Sequence, residues 1–284
     1  MRRLTVAAIG LALVGLLPQI PSARAGAGAE LTFVRDDVTL KSMDRVALAA
    51  ACGVQTVEIE DPYYGRRVSY LACPLGKVLE VGFGVPVAEL TERDVVFRAS
   101  DGYAKPTPGS RLAEPGGWLA FSDASLGTVA SPGWNPIDRR QVDPGPFYVV
   151  WSGAAQRDTH RYPWPYELVQ IEVASLAAKY PHTVPTGSAT DSPARAGYEI
   201  FKSDCIACHA INGEGGKLGP DLNVPRSIVE YRPEAQIKEY VRDPASFRYG
   251  SMPAHPYLSD AQLDDLIAYF RAMSRLKHDP GRSS

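Results

Sequence analysis

The sequence predicts a multidomain protein, with a strand-rich α+β domain first and a small all-α domain after it. Three observations predict it. Short β-type apolar runs separated by turn residues dominate the first part of the 284-residue chain. A stretch rich in Pro, Ser, Thr and Gly, from Pro181 to Ala194, then breaks the pattern and has the composition of a linker. Beyond it the apolar residues recur at helical spacing. The expected boundaries are a leader at 1–25, the α+β domain at 26–180, the linker at 181–193, the helical domain at 194–277 and a tail at 278–284.

The leader reads as a secretory signal: Arg2 and Arg3 come first, Leu4 to Leu17 is apolar, and Ala23-Arg24-Ala25 is an A-x-A cleavage site. An uncleaved anchor is the alternative, but the run is shorter than the ~20 apolar residues a span requires. No later stretch is long enough, so the mature chain is expected to be exported without a membrane span, and to be periplasmic in a Gram-negative cell.

In the first domain, Gln55 to Glu60 and Glu167 to Val173 alternate between apolar and polar residues, as half-buried strands do. Asp94 to Arg98 does not alternate; Val95, Val96 and Phe97 are continuous and suit a buried strand. Trp118 to Phe121 and Phe147 to Trp151 are similar runs. Leu40 to Ala50, with Leu40, Met43 and Ala47 on one side, and Leu75 to Glu80 are expected helices. In the second domain, Ser192-Pro193 supplies an N-cap with proline at the first helical position, and Ala196, Ile200 and Phe201 follow at helical spacing. Pro233 to Val241 can form another helix. Ser259 and Gln262 form a capping box ahead of Leu263, Leu266, Ile267, Phe270 and Met273, an amphipathic stripe.

A formal charge of −2 argues against nucleic acid, which needs a basic face, and against strong attraction to an acidic membrane surface. The 24 prolines and 25 glycines imply many loops, and 45% hydrophobic residues are ordinary for a globular chain.

The most informative residues are Cys205-Ile206-Ala207-Cys208-His209. Two thiols three residues apart can add to the two vinyl groups of haem, and the adjacent imidazole then reaches the iron; C-x-x-C-H is the attachment signature of c-type haem. A zinc site would need a second pair of ligands at suitable spacing, and none follows. A thioredoxin-like pair would precede its helix, whereas this one follows a helix.

The run Gly197 to Asp221, GYEIFKSDCIACHAINGEGGKLGPD, resembles mono-haem class I cytochromes c, and the resemblance continues to Ser274. It implies one covalent haem c on Cys205 and Cys208, with His209 as axial ligand. It also implies that Gly197 and Phe201 on the first helix pack against Tyr269 or Phe270 on the last. The Gly219-Pro220-Asp221-Leu222 segment matches the family's G-P-x-L, in which the proline carbonyl accepts a hydrogen bond from the proximal imidazole. Met252, in Tyr249-Gly250-Ser251-Met252-Pro253, resembles the distal methionine and is the expected sixth ligand. Met273 lies on the apolar stripe of the last helix and reads as core. His255 is the main competitor as ligand and reads as solvent-exposed, while His278 lies in the tail. His/Met ligation fills both axial positions, so the domain is expected to relay single electrons to and from a periplasmic redox partner protein, a dehydrogenase or a terminal oxidase or cytochrome.

Three segments of the first domain, Val68 to Leu75, Phe97 to Tyr103 and Tyr162 to Glu172, resemble the oxidoreductase molybdopterin-binding fold of sulfite oxidases. That family holds molybdenum through a cysteine thiolate. Cys52 and Cys73 are the only thiols here and neither sits in the matching context, so the resemblance implies a related scaffold without molybdopterin. In an oxidising compartment these two cysteines either pair or remain as two buried thiols. Asp101, Tyr103, His160 and Trp164 could form a site, but a turn aspartate, core aromatics and a surface histidine account for them more simply. No catalytic residue is expected. The leading reading is an electron carrier or electron-transfer subunit whose first domain docks a redox partner. The alternatives are a molybdenum-dependent, sulfite-dehydrogenase-like enzyme with an internal haem exit, and a haem-based sensor or assembly factor.

Overall fold

Alternating or continuous apolar runs become strands here because each has a sheet neighbour and a covered face. A computed structural model describes residues 28–137, 141–159, 161–250 and 252–282. The leader therefore lies outside the described residues. In chain order the first part contains β1 (Glu30–Arg35), β2 (Val38–Asp44), α1 (Arg45–Cys52), β3 (Gln55–Asp61), β4 (Arg66–Pro74), α2 (Leu75–Phe83), β5 (Asp94–Ala99), β6 (Ala104–Pro108), the single turn α3 (Gly109–Leu112), β7 (Gly117–Asp123), β8 (Tyr148–Trp151), β9 (Leu168–Ala174) and the single turn α4 (Leu176–Lys179). The second part contains α5 (Pro193–Ile200), a two-residue pairing of β10 (Ala210–Ile211) with β11 (Glu214–Gly215), α6 (Glu234–Arg242) and α7 (Asp260–Ser274). A strand-rich domain followed by a helical one is what the sequence predicts.

Two sheets make the first domain. One has the order β2-β1-β9-β5-β6, the other β3-β4-β7-β8. Among the described strands only β1 and β9 run parallel, with Phe33 opposite Ile171. Phe33, Phe97 and Ile171 from the first sheet share one core with Tyr70, Phe121 and Val149 from the second, together with Leu48 of α1 and Val78 of α2. The two sheets and both helices therefore bury a common apolar interior. Inside it Asp61 accepts from the hydroxyls of Tyr70 (2.8 Å) and Tyr148 (3.0 Å) and from the backbone N–H groups of Tyr63 and Tyr64. Burial nevertheless pushes its carboxyl pKa up, because the desolvation cost exceeds what those donors return.

One expected helix is wrong at its start. Leu40 to Asp44 belongs to β2, paired antiparallel with β1, and the helix begins only at Arg45, capped by the Asp44 side chain accepting from Ala47 N–H at 2.8 Å. The helical spacing of Leu40, Met43 and Ala47 is coincidental: Leu40 is exposed on an edge strand.

The second domain builds its core where α5 crosses α7. A side-chain carbon on Gly197 would fall 2.0 Å from the backbone oxygen of Asp265, so only glycine permits that approach. Phe201 packs on both Tyr269 (ring centroids 5.3 Å) and Phe270 (6.4 Å). Ser259 and Gln262 complete the capping box that starts α7.

The proline-rich segment is docked. Thr183 is fully buried and its carbonyl accepts from the Tyr269 hydroxyl at 2.7 Å. Asn212 clasps this entrance to the domain's exit: its side-chain amide donates to the carbonyls of His182 (2.8 Å) and Leu276 (2.9 Å). The two domains also share apolar packing, since Val96 of β5, Ala104 of β6, Leu176 and Tyr180 join the cluster formed by Phe201, Leu266 and Phe270.

Candidate functional site

The C-x-x-C-H run leaves α5 through a wide turn spanning Phe201–Cys205, in which Ile206 N–H donates to the Phe201 carbonyl at 2.8 Å. The Cys208 and His209 N–H groups both donate to the Cys205 carbonyl, at 3.1 and 2.9 Å, which folds the two cysteines and the histidine into one compact loop. The Gly219 N–H, donating to the Cys208 carbonyl at 2.7 Å, ties the following segment back onto it. A side-chain carbon on Gly219 would lie 2.5 Å from the His209 ring, so glycine lets this segment lie flat against the imidazole. His209 Nδ1 is 2.8 Å from the Pro220 carbonyl. A carbonyl can only accept, so Nδ1 carries the proton and Nε2 is the ring nitrogen left as a ligand atom. Burial pushes the His209 pKa down, outweighing the Pro220 contact, which keeps the ring neutral.

The loop forms one wall of a cavity of about 630 Å³. Cys205, Cys208 and His209 line one side, and Met252, Pro253 and His255 line it from the loop between α6 and α7. Ile237, Tyr240 and Val241 of α6, with Leu266 and Phe270 of α7, supply much of the remaining wall. Neither Cys205 nor Cys208 is in a disulfide. Ser251, beside Met252, lies outside the described residues.

His255 corrects an expectation. It is buried, 4% exposed, and sits in the cavity wall with Nδ1 2.7 Å from the Tyr257 hydroxyl, which in turn donates to Asp204 at 2.8 Å. Beside it Asp204, from the turn before the attachment loop, meets Tyr257, from the distal loop; a linear reading has no signal for that meeting. Met273 is 1% exposed in the helical core, and His278 stacks on His182 with ring centroids 3.7 Å apart.

In the first domain Cys52 and Cys73 are joined by a disulfide, Cα–Cα 5.9 Å, linking the end of α1 to β4. The Asp101 carboxylate accepts from Tyr103 N–H at 2.9 Å, which makes it a turn residue. Trp164 is a core aromatic whose indole donates to the Gln156 carbonyl at 3.0 Å. His160 lies outside the described residues. Tyr103 reaches toward the other domain: burial, with Tyr63 and Cys208 nearby, holds its phenol pKa well above the ordinary value. Among the described residues no three His, Cys, Asp or Glu side chains converge to hold a metal ion.

The family model described as "Cytochrome c" matches residues 194–274. Those residues are a cytochrome c domain. The chain is similar to cytochrome c oxidase subunit 2 of Alkalihalophilus pseudofirmus, 34% identical over 92 residues covering 30% of this chain and 27% of that one. It is also similar to lupanine 17-hydroxylase [cytochrome c] of a Pseudomonas species, 39% identical over 82 residues covering 28% of this chain and 11% of the other. The chain thus spans only about a quarter and about a tenth of the curated relatives it matches. The family match stops short of the first domain, whose likeness to the sulfite-oxidase fold rests on its three sequence segments alone.

A cytochrome c domain implies covalent haem, and the cavity suits one. Its volume lies in the ordinary range for sites that enclose a cofactor, roughly 300–1,000 Å³. Its wall is largely apolar, and it brings two thiols, an oriented imidazole and a thioether to one space. No helix among the described residues is long and apolar enough to cross a membrane. The domain's role is haem-based electron transfer.

Proposed function

We propose that this protein is an exported mono-haem cytochrome that relays single electrons, with its first domain docking a redox partner. In this reading Cys205 and Cys208 would hold the haem through thioethers, and His209 and Met252 would be the ligands of its iron. The observation that carries it is the convergence of those four side chains on one cavity, with His209 held by Pro220. The bound haem supplies a reversible one-electron change at iron. The protein's residues attach it, fix the imidazole's orientation and exclude water with the walls of α6 and α7. With His209 and Met252 both as ligands, the iron would offer no place for substrate, which favours a relay over a catalyst.

Export is supported by the leader pattern of residues 1–25 and by the Cys52–Cys73 disulfide, which suits an oxidising compartment such as the periplasm. The docking role is supported by the first domain's position directly against the attachment loop. The absence of a recognisable thiolate ligand context in that domain favours a scaffold without molybdenum.

The decisive experiment is expression with a c-type maturation system, followed by denaturation. Haem is expected to remain on the wild-type chain and to be lost from the Cys205→Ala, Cys208→Ala double variant; haem retained on that variant would refute the attachment. One further reading of the sixth ligand is favoured by a specific observation, the buried place of His255 in the same wall. Met252→His and His255→Ala separate the two. With Met252 as ligand, the first change abolishes the long-wavelength methionine-to-iron absorption band and the second leaves it.

A further inference from the structure

The first domain does more than sit beside the cytochrome c domain; it inserts a charged side chain into it. Ala104 N–H, at the start of edge strand β6, donates to the Ala207 carbonyl between the two cysteines, at 2.8 Å. Lys217 N–H, after the attachment loop, donates to the Gly102 carbonyl at 3.0 Å. The turn between β5 and β6 therefore grips the attachment loop from both sides. Lys105, the residue after Ala104, enters the seam next to these contacts. It is 9% exposed, and its ammonium donates to the carbonyl of Ser203, two residues before Cys205. Burial pushes its ammonium pKa down, and the nearby Asp204 carboxylate opposes that shift. Asp204 is held in turn by the hydroxyls of Ser203 and Tyr257.

A buried ammonium is costly unless it is compensated, and a fold that used this position only for packing would satisfy it with an apolar residue. The position does place a unit charge, screened little by solvent, beside the residues that hold the haem. Such a charge acts differently on the two oxidation states, because the oxidised iron carries one more positive charge.

We propose that Lys105, set against Asp204, is a positioning residue through which the first domain raises the reduction potential of the haem. The proposal rests on the haem reading above. The first domain thereby adjusts the driving force for electron transfer as well as offering a surface. A unit charge about 10 Å from an iron, in a medium of effective dielectric about 20, shifts a one-electron equilibrium by roughly tenfold. For one electron, that tenfold is ~59 mV.

The test is potentiometric titration of the full-length holoprotein with Lys105→Gln, Lys105→Met and Lys105→Arg. The two neutral variants are expected to lower the potential by about that tenfold shift, and the arginine variant to stay near wild type. A neutral variant that carries covalent haem at an unchanged potential overturns the proposal. So does an arginine variant that falls as far as the neutral ones, which would mark loss of packing rather than of charge. If neither neutral variant accumulates, Asp204→Asn carries the test: removing the opposing carboxylate must raise the potential, and a potential that falls or stays put overturns it. A wild-type chain without covalent haem would instead refute the haem reading, so the two failures are distinguishable.

Discussion

The two domains solve the problem of an interior in opposite ways. The first closes on itself: two sheets and two helices interdigitate around large aromatics, a disulfide ties α1 to β4, and the buried Asp61 carboxylate is surrounded by donors. The second is arranged around a space, and α6, α7 and the attachment loop meet across a cavity of about 630 Å³. A packed interior loses contacts wherever a void opens. The difference teaches that the first domain's stability is written in its side chains, whereas the second's is shared with its cofactor.

The sharpest way to break that contrast is to withhold the haem. In the Cys205→Ala, Cys208→Ala double variant, amide exchange is expected to accelerate strongly in α6 and α7 while β4 and β7 keep their protection. Equal loss in both domains would show that the seam, and not the cofactor, governs the second core. Next in size is Gly197→Val, which forces a branched side chain into the crossing of α5 and α7. Overpacking of this kind costs about 3 kcal/mol, read as a lower unfolding midpoint of the second domain. For the first domain, replacing Cys52 and Cys73 by serine is expected to cost about 3 kcal/mol, the usual value for a loop of this order, measured by urea unfolding. Asp61→Ala orphans two buried hydroxyls and is expected to cost about 2 kcal/mol in the same assay. The smallest effect belongs to the surface pair of Arg271 with Glu234, which joins α7 to α6. Arg271→Ala should cost about 0.5 kcal/mol or less, and a larger loss would mean that α6 is held by charge rather than by its apolar face.

The same contrast explains what a linear reading recovers. The attachment site is local: five consecutive residues carry the chemistry, and Pro220 follows within the same segment, so the ligands of one wall are legible. The helices of the second domain announce themselves through Ser192-Pro193 and through Ser259 with Gln262, because caps are local too. In the first domain the strands are legible as segments, but their pairing is not. Parallel β1 and β9 are far apart in sequence, and β1 and β6 lack a clear pattern because β1 shares its register with a bulge and β6 is an edge strand carrying two prolines. Lys105 is the extreme case. It sits in Ala104-Lys105-Pro106-Thr107-Pro108, a run without an apolar pattern, and is buried where its ammonium meets Ser203 of the opposite domain. His255 is misjudged for a similar reason, since the Tyr257 and Asp204 it is linked to come from two different loops.

Asn212 has a consequence for how such a domain travels between proteins. By holding the carbonyls of His182 and Leu276 together it brings the points where the chain enters and leaves to one place. A unit whose ends already meet can be spliced into a surface loop, or have its ends joined and be reopened elsewhere, without disturbing its interior. The geometry is therefore compatible with insertion as well as with end-to-end fusion, and the Asn212 clasp is what permits it.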